Sequence, residues 1–192
     1  MINIVLFGPP GSGKGTQAQN LIEKFNLKQI STGDLFRYNI KNETELGKLA
    51  KSYIDKGELV PDQVTTDMLT EEVKKPTDTN GFIFDGYPRT VNQTEALEEI
   101  VKKELNSEIS VCLSLVVEDE ILVDRLLKRG ETSGRSDDSN EEIIRTRIQE
   151  YYSKTAEVAE LYKKQNKYVE INGVGEIEEI SEMLYAEVEK IK

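Results

Sequence analysis

Residues 8–16, GPPGSGKGT, carry the first pattern in the chain whose spacing could do chemistry. They nearly match G-x-x-x-x-G-K-[ST], in which glycines let backbone N–H groups face phosphates and the lysine supplies a positive charge. Gly15 replaces the expected hydroxyl residue, and the hydroxyl follows one position later, on Thr16. An apolar run precedes the loop and a helical pattern follows it, which is the context that the pattern requires. The stretch therefore predicts binding of a nucleoside triphosphate.

Arginine is the second informative residue type. The chain has 25 Lys and Arg residues against 36 Asp and Glu, a net charge of −11, so an anionic ligand would need cations concentrated locally. Only seven residues are arginines: five lie between Arg125 and Arg147, and Arg37 and Arg89 end the phrases STGDLFR and DGYPR. The guanidinium fork matches phosphate oxygens. Chance and helix-surface ion pairs would explain the clustering alone equally well.

The residues also bear on what would accept a phosphoryl group. A kinase acting on an alcohol usually needs a general base, yet the chain has no histidine and no carboxylate that stands out as a base. A phosphate acceptor is already anionic near pH 7 and needs cations that hold two repelling phosphates in line. A switch GTPase is disfavoured, because Asp85 is followed by Gly-Tyr-Pro and Asn166-Lys167 by Tyr-Val, so neither D-x-x-G nor N-K-x-D is completed there.

Hydrophobic periodicity predicts the elements that must position these residues. Strands are expected at 2–7, 28–31, 82–85, 109–117 and 168–171. Helices are expected at 14–25, 33–41, 44–56, 62–75, 92–104, 119–129, 140–164 and 176–191. Short apolar strands that alternate with helices are typical of an α/β fold, a parallel sheet with helices on both faces. Such a sheet binds its ligand at the carboxyl ends of the strands.

Three helix ends are predicted from local signals. Thr32 is expected to cap the helix that follows it, and Gly130 is expected to close the helix that begins at residue 119. The stretch 130–140, GETSGRSDDSN, contains no apolar residue and is predicted to be a surface loop. Ser139 and Glu142 are expected to form a capping box for one long helix that reaches about residue 164.

Composition excludes several classes of protein. Hydrophobic residues make up 37% and charged residues 32% of the chain, which suits one globular domain. The acidic balance argues against nucleic acid, which demands a basic face. No apolar run approaches the roughly 20 residues of a membrane span, and we expect no export signal. The single cysteine, Cys112, is predicted to be a buried strand residue, and the compartment to be cytoplasmic.

Five phrases in order resemble adenylate kinase in its short-lid form. They are GPPGSGKGT, STGDLFR, GELVP, FDGYPRT with a following Gln, and RLLKRGETSGRSDD, and the resemblance covers essentially the whole chain. It implies a P-loop NTPase-type five-stranded parallel sheet as a core domain at 1–30, 61–129 and 141–192, with a helical AMP-binding insert at 31–60 and a lid at 130–140. It also implies the reaction MgATP + AMP ⇌ 2 ADP, with ATP, AMP and ADP as ligands.

The resemblance further implies roles for individual residues. The ATP-binding residues are expected to be Gly11, Ser12, Gly13, Lys14, Gly15, Thr16, Arg125, Arg129 and Gly175. The AMP-binding residues are expected to be Thr32, Arg37, Glu58, Leu59, Val60, Gly86, Tyr87, Pro88, Arg89, Gln93, Arg135 and Arg147. The catalytic residues are expected to be Lys14, Arg89, Arg129, Arg135 and Arg147. Arg147 lies one position further from Arg135 than the family pattern has it, so Arg145 is the alternative.

The resemblance extends to the metal. Mg²⁺ is expected to arrive with ATP, and Asp85 to orient its waters rather than bind it directly. Gly15 fits this arrangement, because it removes the hydroxyl that would otherwise ligate the metal and leaves a gap beside Lys14. The lid has no cysteine, so no structural zinc is expected. The pair Asp137 and Asp138 is interpreted as holding the lid arginines, although favourable charge at a helix N-terminus explains it equally well.

Two other functions remain as alternatives. A UMP/CMP kinase shares the short lid and most of the phrases, but Thr32 and Gln93 favour AMP. A nucleotide-sensing module would bind ATP and AMP without transferring a phosphoryl group. The full set of arginines together with Lys14 favours an enzyme, because these cations would stabilise the negative charge of a phosphoryl group during its transfer. A monomer is expected, since no exposed apolar stripe suggests an interface.

Overall fold

A computed structural model describes the 192 residues of the chain apart from the side chain of residue 156. The strands are β1 (Ile2–Phe7), β2 (Leu27–Ser31), β3 (Gly81–Asp85), β4 (Val111–Val116) and β5 (Tyr168–Asn172). The helices are α1 (Lys14–Phe25), α2 (Thr32–Lys41), α3 (Glu45–Ile54), α4 (Asp62–Val73), α5 (Val91–Leu105), α6 (Asp119–Ser133), α7 (Glu141–Glu150), α8 (Ala156–Lys164) and α9 (Ile177–Glu189). A 3₁₀ turn spans Ser136–Asp138, and a π-helical turn spans Tyr151–Thr155.

The strands form one parallel sheet in the order β2-β3-β1-β4-β5. This confirms the predicted fold class and the number of strands. The strand β1 lies in the middle of the sheet, so the loop that follows it opens at the centre of the carboxyl edge. Parallel strands need crossover connections, and these place helices on the two faces of the sheet.

Each face of the sheet carries its own core because side chains alternate along a strand. From β1, Ile4 and Leu6 pack on one face, and Val5 and Phe7 pack on the other. The first face is covered by Ala18, Leu21 and Phe25 of α1 and by Ile180, Leu184 and Val188 of α9. The second face is covered by Leu69 and Val73 of α4, Leu97 and Val101 of α5, and Val158 and Tyr162 of α8.

Cys112 lies within the second of these cores. Its thiol is fully buried in β4, as predicted, and burial raises the pKa of that thiol. A raised pKa disfavours the thiolate, which is the reactive form. The side chain therefore acts as a small hydrophobic residue of the sheet. None of the helices in the described part of the chain combines the length and the apolar character that crossing a membrane requires.

The segment 31–60 has a small core of its own. Phe36 of α2, Ala50 of α3 and Val60 are buried together, and Val64 and Met68 of α4 pack against them. The two helices of the segment pack closely on each other. This cluster is separate from the two cores of the sheet, so the segment is an appendage whose packing is largely internal.

Two predicted helix caps are wrong by one residue. The helix α2 is capped by Ser31, whose side chain accepts a hydrogen bond from the Asp34 N–H, and Thr32 is the first helical residue. The helix α7 is capped by Asn140, whose Oδ1 accepts from the Glu142 N–H, so Ser139 and Glu142 form no capping box. In both cases two neighbouring residues could serve as the cap, and the competitor's hydroxyl is used elsewhere. The Ser139 hydroxyl donates to the Ser136 carbonyl oxygen of the 3₁₀ turn. The hydroxyl of Thr32 donates to Gly86 O.

The prediction that Gly130 ends a helix is also wrong. The helix α6 continues through Gly130 to Ser133 and ends at Gly134, which adopts the left-handed conformation with φ 66°. Gly130 instead allows a close approach, because a Cβ atom built there would lie 2.5 Å from the Asp138 carbonyl oxygen. The stretch 130–140 lies mostly at the surface, as predicted, but it is not a loop throughout: it contains the end of α6 and the 3₁₀ turn, and Asp137 and Asp138 are buried.

The long helix predicted for 140–164 is interrupted. It comprises α7, the π-helical turn Tyr151–Thr155, and α8. A π-helical turn contains an extra residue, which rotates the following side chains relative to the face of the first helix. The turn buries Thr155, and its hydroxyl donates to the Arg89 carbonyl oxygen at 3.2 Å. Hydrophobic periodicity alone does not reveal this turn, since it depends on what the shifted side chain contacts.

Gly130→Ala is expected to destabilise the protein. Alanine is favoured over glycine inside a helix by roughly 1 kcal/mol, but the Asp138 backbone stands where the new Cβ would be. The resulting overpacking should outweigh the helix preference of alanine and lower the free energy of unfolding by about 1–3 kcal/mol, measured by urea titration. The control is Gly15→Ala, where nothing lies within 4 Å of the new Cβ. Equal or greater stability of Gly130→Ala would contradict the close approach.

Candidate active site

A cavity of about 530 Å³ opens at the carboxyl edge of the sheet. Its walls come from the loop after β1, the end of β3 with the turn after it, the insert, and the helices α6 and α7. Because these segments are far apart in the chain, the cavity exists only in the folded protein. Nearly all the predicted site residues line this cavity. Ser12 and Gly175 are not among the described residues that line it.

The loop between β1 and α1 forms the floor of the cavity. Gly8 and Gly13 have φ values of 136° and 98°, a region that residues with a side chain rarely adopt. A Cβ on Gly8 would lie 2.7 Å from the Leu115 carbonyl oxygen, whereas Cβ atoms on Gly13 and Gly15 would meet nothing within 4 Å. The loop is therefore packed against the sheet at its start and open to the cavity at the start of α1. An anion placed there would face backbone N–H groups and the positive end of the helix.

Lys14 is folded back over this loop. Its Nζ donates to the carbonyl oxygens of Gly8 at 2.7 Å and Pro9 at 2.9 Å. Burial lowers the pKa of Lys14 to about 8, with opposite effects from the Asp85 carboxylate, which raises it, and from the arginines of the cavity, which lower it. The lysine is thus a cation in a site that already repels cations. A phosphate would relieve that repulsion.

Six of the seven arginines line the same cavity. They are Arg37, Arg89, Arg125, Arg129, Arg135 and Arg147. The seventh, Arg145, lies on the exposed side of α7 and pairs with Glu120 and Glu141. Ion pairing on a helix surface therefore explains one arginine of the cluster and not the others. The structure brings Arg147 to the cavity and directs Arg145 away from it.

The buried carboxylate of Asp138 holds two of these arginines. Its Oδ2 accepts from Arg129 Nε at 2.6 Å, and its Oδ1 accepts from Arg129 Nη2 at 3.0 Å and from Arg147 Nη1 at 2.6 Å. Burial opposes the charge on Asp138, but the hydrogen bonds from both arginines outweigh it, and the pKa of Asp138 lies below its usual range. Asp137 supplies its carbonyl oxygen and Oδ2 to Arg147. These contacts explain why two acidic residues of a polar stretch are buried.

A second wall of the cavity is built around the turn after β3, the strand next to β1. Arg89 Nε donates to the Gly86 carbonyl oxygen at 2.9 Å, and the Thr32 hydroxyl donates to the same oxygen at 3.0 Å. Burial and the neighbouring Arg147 lower the pKa of Arg89, a sign of how closely the cations are gathered. Arg37 is held by Asp34 at 2.6 Å. Glu58, Leu59, Val60 and Pro88 complete this side of the cavity.

Tyr87 lies in the same turn and anchors it from below. Its side chain is buried, and its hydroxyl shares a hydrogen bond of 2.7 Å with Thr66 of α4. Burial raises the pKa of Tyr87 to about 12, so the hydroxyl stays protonated. The residue borders the cavity, yet most of its surface packs in the core. Its contribution to the site is chiefly to hold the turn in place.

Gln93 is fixed at both ends of its amide. It is 2% exposed, its Oε1 accepts from the Arg89 N–H at 2.8 Å, and its Nε2 donates to Asp62 Oδ1 at 2.7 Å. Sequence reasoning identified Gln93 but missed Asp62, which lies 31 positions away. It also missed Glu150, which immediately precedes the π-helical turn, and Thr155, the last residue of that turn; both line the cavity. No local pattern distinguishes these three residues from ordinary helix residues.

The two predicted residues outside the lining are Ser12, in the glycine-rich loop, and Gly175, after β5. Ser12 is buried, with its hydroxyl 3.5 Å from Lys14 Nζ. Gly175 follows β5 and has φ 141°. Arg125 reaches this segment, since both of its terminal nitrogens donate to the Gly173 carbonyl oxygen at 3.2 Å. Gly173 therefore contacts a cavity residue, whereas Gly175 lies beyond it.

Asp85 is the acidic group nearest to the glycine-rich loop that could serve a metal. It ends β3 and lines the cavity, and its Oδ2 accepts from Gln29 Nε2 at 3.2 Å. Within the described residues, no group of three or more His, Cys, Asp or Glu side chains is arranged to hold a metal ion. Mg²⁺ commonly uses one or two carboxylates together with substrate phosphates and water. A single carboxylate beside a phosphate site fits that mode of binding.

Comparison with known proteins decides the family. The family model described as adenylate kinase matches residues 6–167. Proteins named adenylate kinase from Flavobacterium johnsoniae and Bacteroides fragilis are 56% and 51% identical to this chain, over 100% and 95% of both chains respectively. The chain belongs to the adenylate kinase family. It is a phosphotransferase of the ATP:AMP type, and neither comparison favours the UMP/CMP kinase or sensing alternatives.

MgATP binding near pH 8 is expected to take up protons. With a pKa of about 8 in the free enzyme, Lys14 is about half protonated at that pH, and the phosphates would restore its full charge. The uptake should be about half a proton, measured by calorimetry in buffers of different ionisation enthalpy. The same titration near pH 6 is the control, because Lys14 is already charged in the free enzyme. A buffer-independent heat at both pH values would contradict this account.

Proposed function

We propose that the cavity catalyses the reversible transfer of the γ-phosphoryl group from MgATP to AMP, giving two molecules of ADP, through the residues assigned below. The observation that carries the proposal is that six arginines and Lys14 line one cavity of an acidic protein. Two phosphates cannot approach each other unless their charges are neutralised. Catalysis of such a transfer therefore consists of positioning and electrostatic stabilisation.

The ATP phosphates would lie on the loop after β1. Its open backbone at Gly13 and Gly15 supports this assignment, as does Lys14, which would exchange its carbonyl partners for phosphate oxygens. Arg125, one helical turn before Arg129 on α6, would lie beside the base and phosphates. The other residues proposed on this side are Gly11, Ser12, Thr16, Arg129 and Gly175.

AMP would lie between the insert and the turn after β3. Arg37 and Arg89 would bind its phosphate, and Gln93 would recognise the adenine. The burial of Thr32 and its bond to Gly86 support a role in shaping this pocket more than a direct charge contact. The backbone of 58–60 would line the base and ribose, and the remaining proposed contacts are Gly86, Tyr87 and Pro88.

The transferring group would be surrounded by Arg129, Arg135 and Arg147 together with Lys14 and Arg89. The carboxylate of Asp138 supports this arrangement, because it fixes two guanidinium groups before substrate arrives and reduces the cost of holding like charges together. Each guanidinium still has N–H groups that can face phosphate oxygens. A preorganised set of cations of this kind stabilises charge as it moves between the two nucleotides.

Mg²⁺ would enter with ATP, held mainly by phosphates and water. When bound, it neutralises part of the phosphate charge. Asp85 would orient its water ligands from the end of β3, and its own orientation is fixed by Gln29. Gly15 in place of a hydroxyl residue supports a metal that the chain does not ligate through the glycine-rich loop.

We further propose that 31–60 and 130–140 close over the core formed by 1–30, 61–129 and 141–192. Two contacts link the segments: Ser136 Oγ donates to Asp55 Oδ1 at 2.8 Å, and Arg135 lies 3.9 Å from Asp34. Closure would exclude water, which strengthens the electrostatic contacts inside and prevents hydrolysis of ATP. The first residues of 130–140 belong to the end of α6, so movement of this segment would bend about that helix end.

The proposal assigns this activity to a monomer in the cytoplasm, where it would interconvert ATP, ADP and AMP and maintain their balance. Its support is the composition: an acidic chain with ordinary hydrophobic content and one cysteine. A single buried thiol suits a reducing compartment.

The experiment that tests the function is transfer from MgATP to AMP, CMP and UMP measured side by side. AMP is expected to give the highest kcat/KM. Equal or better turnover of CMP or UMP would favour the pyrimidine kinase. Tight binding of ATP and AMP with no transfer would favour the sensing module.

Arg147 and Arg145 provide a matched pair on one helix. Arg147→Ala is expected to lower kcat by about a hundredfold or more, since it removes a preorganised donor from the transferring group. Arg145→Ala should change kcat by less than about twofold, because an exposed ion pair contributes little. Circular dichroism would verify that both variants fold. Loss of activity only in Arg145→Ala would reverse the assignment.

A further inference from the structure

Asp62 lies outside the cavity lining yet contacts the residue proposed to recognise the base. It is the first residue of α4 and is half-buried, and it is not among the described residues that line the cavity. Its Oδ1 accepts from Gln93 Nε2 at 2.7 Å, and its Oδ2 accepts from the Thr90 hydroxyl at 2.7 Å. Both carboxylate oxygens are therefore used to hold the N-terminal end of α5, where Gln93 lies.

The partners of Gln93 allow only one orientation of its amide. A carboxylate accepts hydrogen bonds but cannot donate them, so the amide nitrogen must face Asp62. A backbone N–H donates but cannot accept, so the amide oxygen must face Arg89. Thr90 strengthens this arrangement, since its hydroxyl donates to Asp62 and accepts from the Gln93 N–H. An inverted amide would place two donors together at Arg89 and leave the carboxylate facing an oxygen.

A fixed amide presents a fixed pattern to the cavity. After these bonds, Gln93 keeps one N–H and one oxygen lone pair for a ligand. The adenine edge offers a matching pair: N1 accepts and the 6-amino group donates. Hypoxanthine has the reverse pattern, since its N1–H donates and its O6 accepts. Only an inverted amide would match hypoxanthine.

We propose that Asp62 is a positioning residue that sets base selectivity, holding the Gln93 amide in the orientation that accepts adenine and rejects a 6-oxopurine. This rests on the proposed function only in taking AMP as the ligand of this pocket. Asp62 does not touch the base, and its effect passes entirely through Gln93. The residue therefore controls the ratio of two affinities more than the rate of transfer.

The test compares binding of AMP and inosine monophosphate (IMP) by the full chain, with transfer from MgATP measured in parallel. In Asp62→Ala the ratio of Kd for IMP to Kd for AMP should fall by about tenfold, the effect of losing one charge-assisted hydrogen bond. The KM for ATP should stay within about twofold of wild type, since Asp62 bonds to Thr90 and Gln93, neither of which is proposed to bind ATP. A purely structural role for Asp62 would weaken both nucleotides equally and leave the ratio unchanged.

Two further variants sharpen the result. Asp67→Ala is the matched control: it removes an exposed carboxylate on the same helix that also binds a glutamine amide, Gln63, and it should not change the ratio. If Asp62→Ala does not fold, Asp62→Asn preserves the shape but can offer Gln93 either an oxygen or a nitrogen. The ratio should then fall by about threefold or more.

A double-mutant cycle tests whether Asp62 acts through Gln93. In a Gln93→Leu background, Asp62→Ala should cause no further change in the ratio. An unchanged ratio in the Asp62 single variants, or an equal fall with and without Gln93, would overturn the proposal. Binding is measured independently of transfer, so a chain that binds AMP but transfers nothing would refute the proposed function and still decide the role of Asp62.

Discussion

The interaction on which the site depends is the buried carboxylate of Asp138 with Arg129 and Arg147. Six arginines and a lysine in one cavity repel one another, and each would be drawn toward solvent without a fixed counter-charge. Asp138 is 0% exposed and bonded to both guanidinium groups, so it holds two cations from different helices in one place. A lone buried carboxylate would itself be unstable, and the three groups are tolerated only together. The same contact buries Asp137 and Asp138 of the polar segment before α7, and the close approach of the Asp138 backbone requires a glycine at position 130.

On the side of the cavity proposed to bind AMP, the main constraint is the direction of the hydrogen bonds, more than the balance of charge. Arg89 has its side chain bound to Gly86, its carbonyl oxygen bound to Thr155 and its N–H bound to Gln93. Gln93 is bound in turn to Asp62. The arginine proposed to bind the AMP phosphate and the amide proposed to recognise the base are thus parts of one hydrogen-bond network. Such a network favours a single geometry, because each partner can only donate or only accept at its end.

Much of the fold could be predicted from the sequence. The five strands, their parallel arrangement and the position of the glycine-rich loop follow from apolar runs and glycine spacing, which are local. The errors lie where two residues compete for a local role. Ser31 and Thr32 are both good caps, and Thr32 is used by Gly86 instead. Gly130 carries a reasonable signal for a helix end, yet the helix continues because its missing Cβ makes room for Asp138. The π-helical turn leaves no mark in the hydrophobic pattern.

The sequence by itself determined the phosphate loop, the residue types that could bind two nucleotides, and the family. All three depend on short runs of consecutive residues. In the phosphate loop, for example, a glycine with a positive φ and the lysine directly after it lie within a single turn of the chain. The tertiary structure alone decided which arginine enters the cavity, which carboxylate holds it, and that Asp62 fixes Gln93. Arg145 and Arg147 are two positions apart and differ only in the direction they face, and Asp62 reaches Gln93 across 31 positions. Such pairings are set by how helices pack on the sheet, and no short stretch of sequence contains both partners.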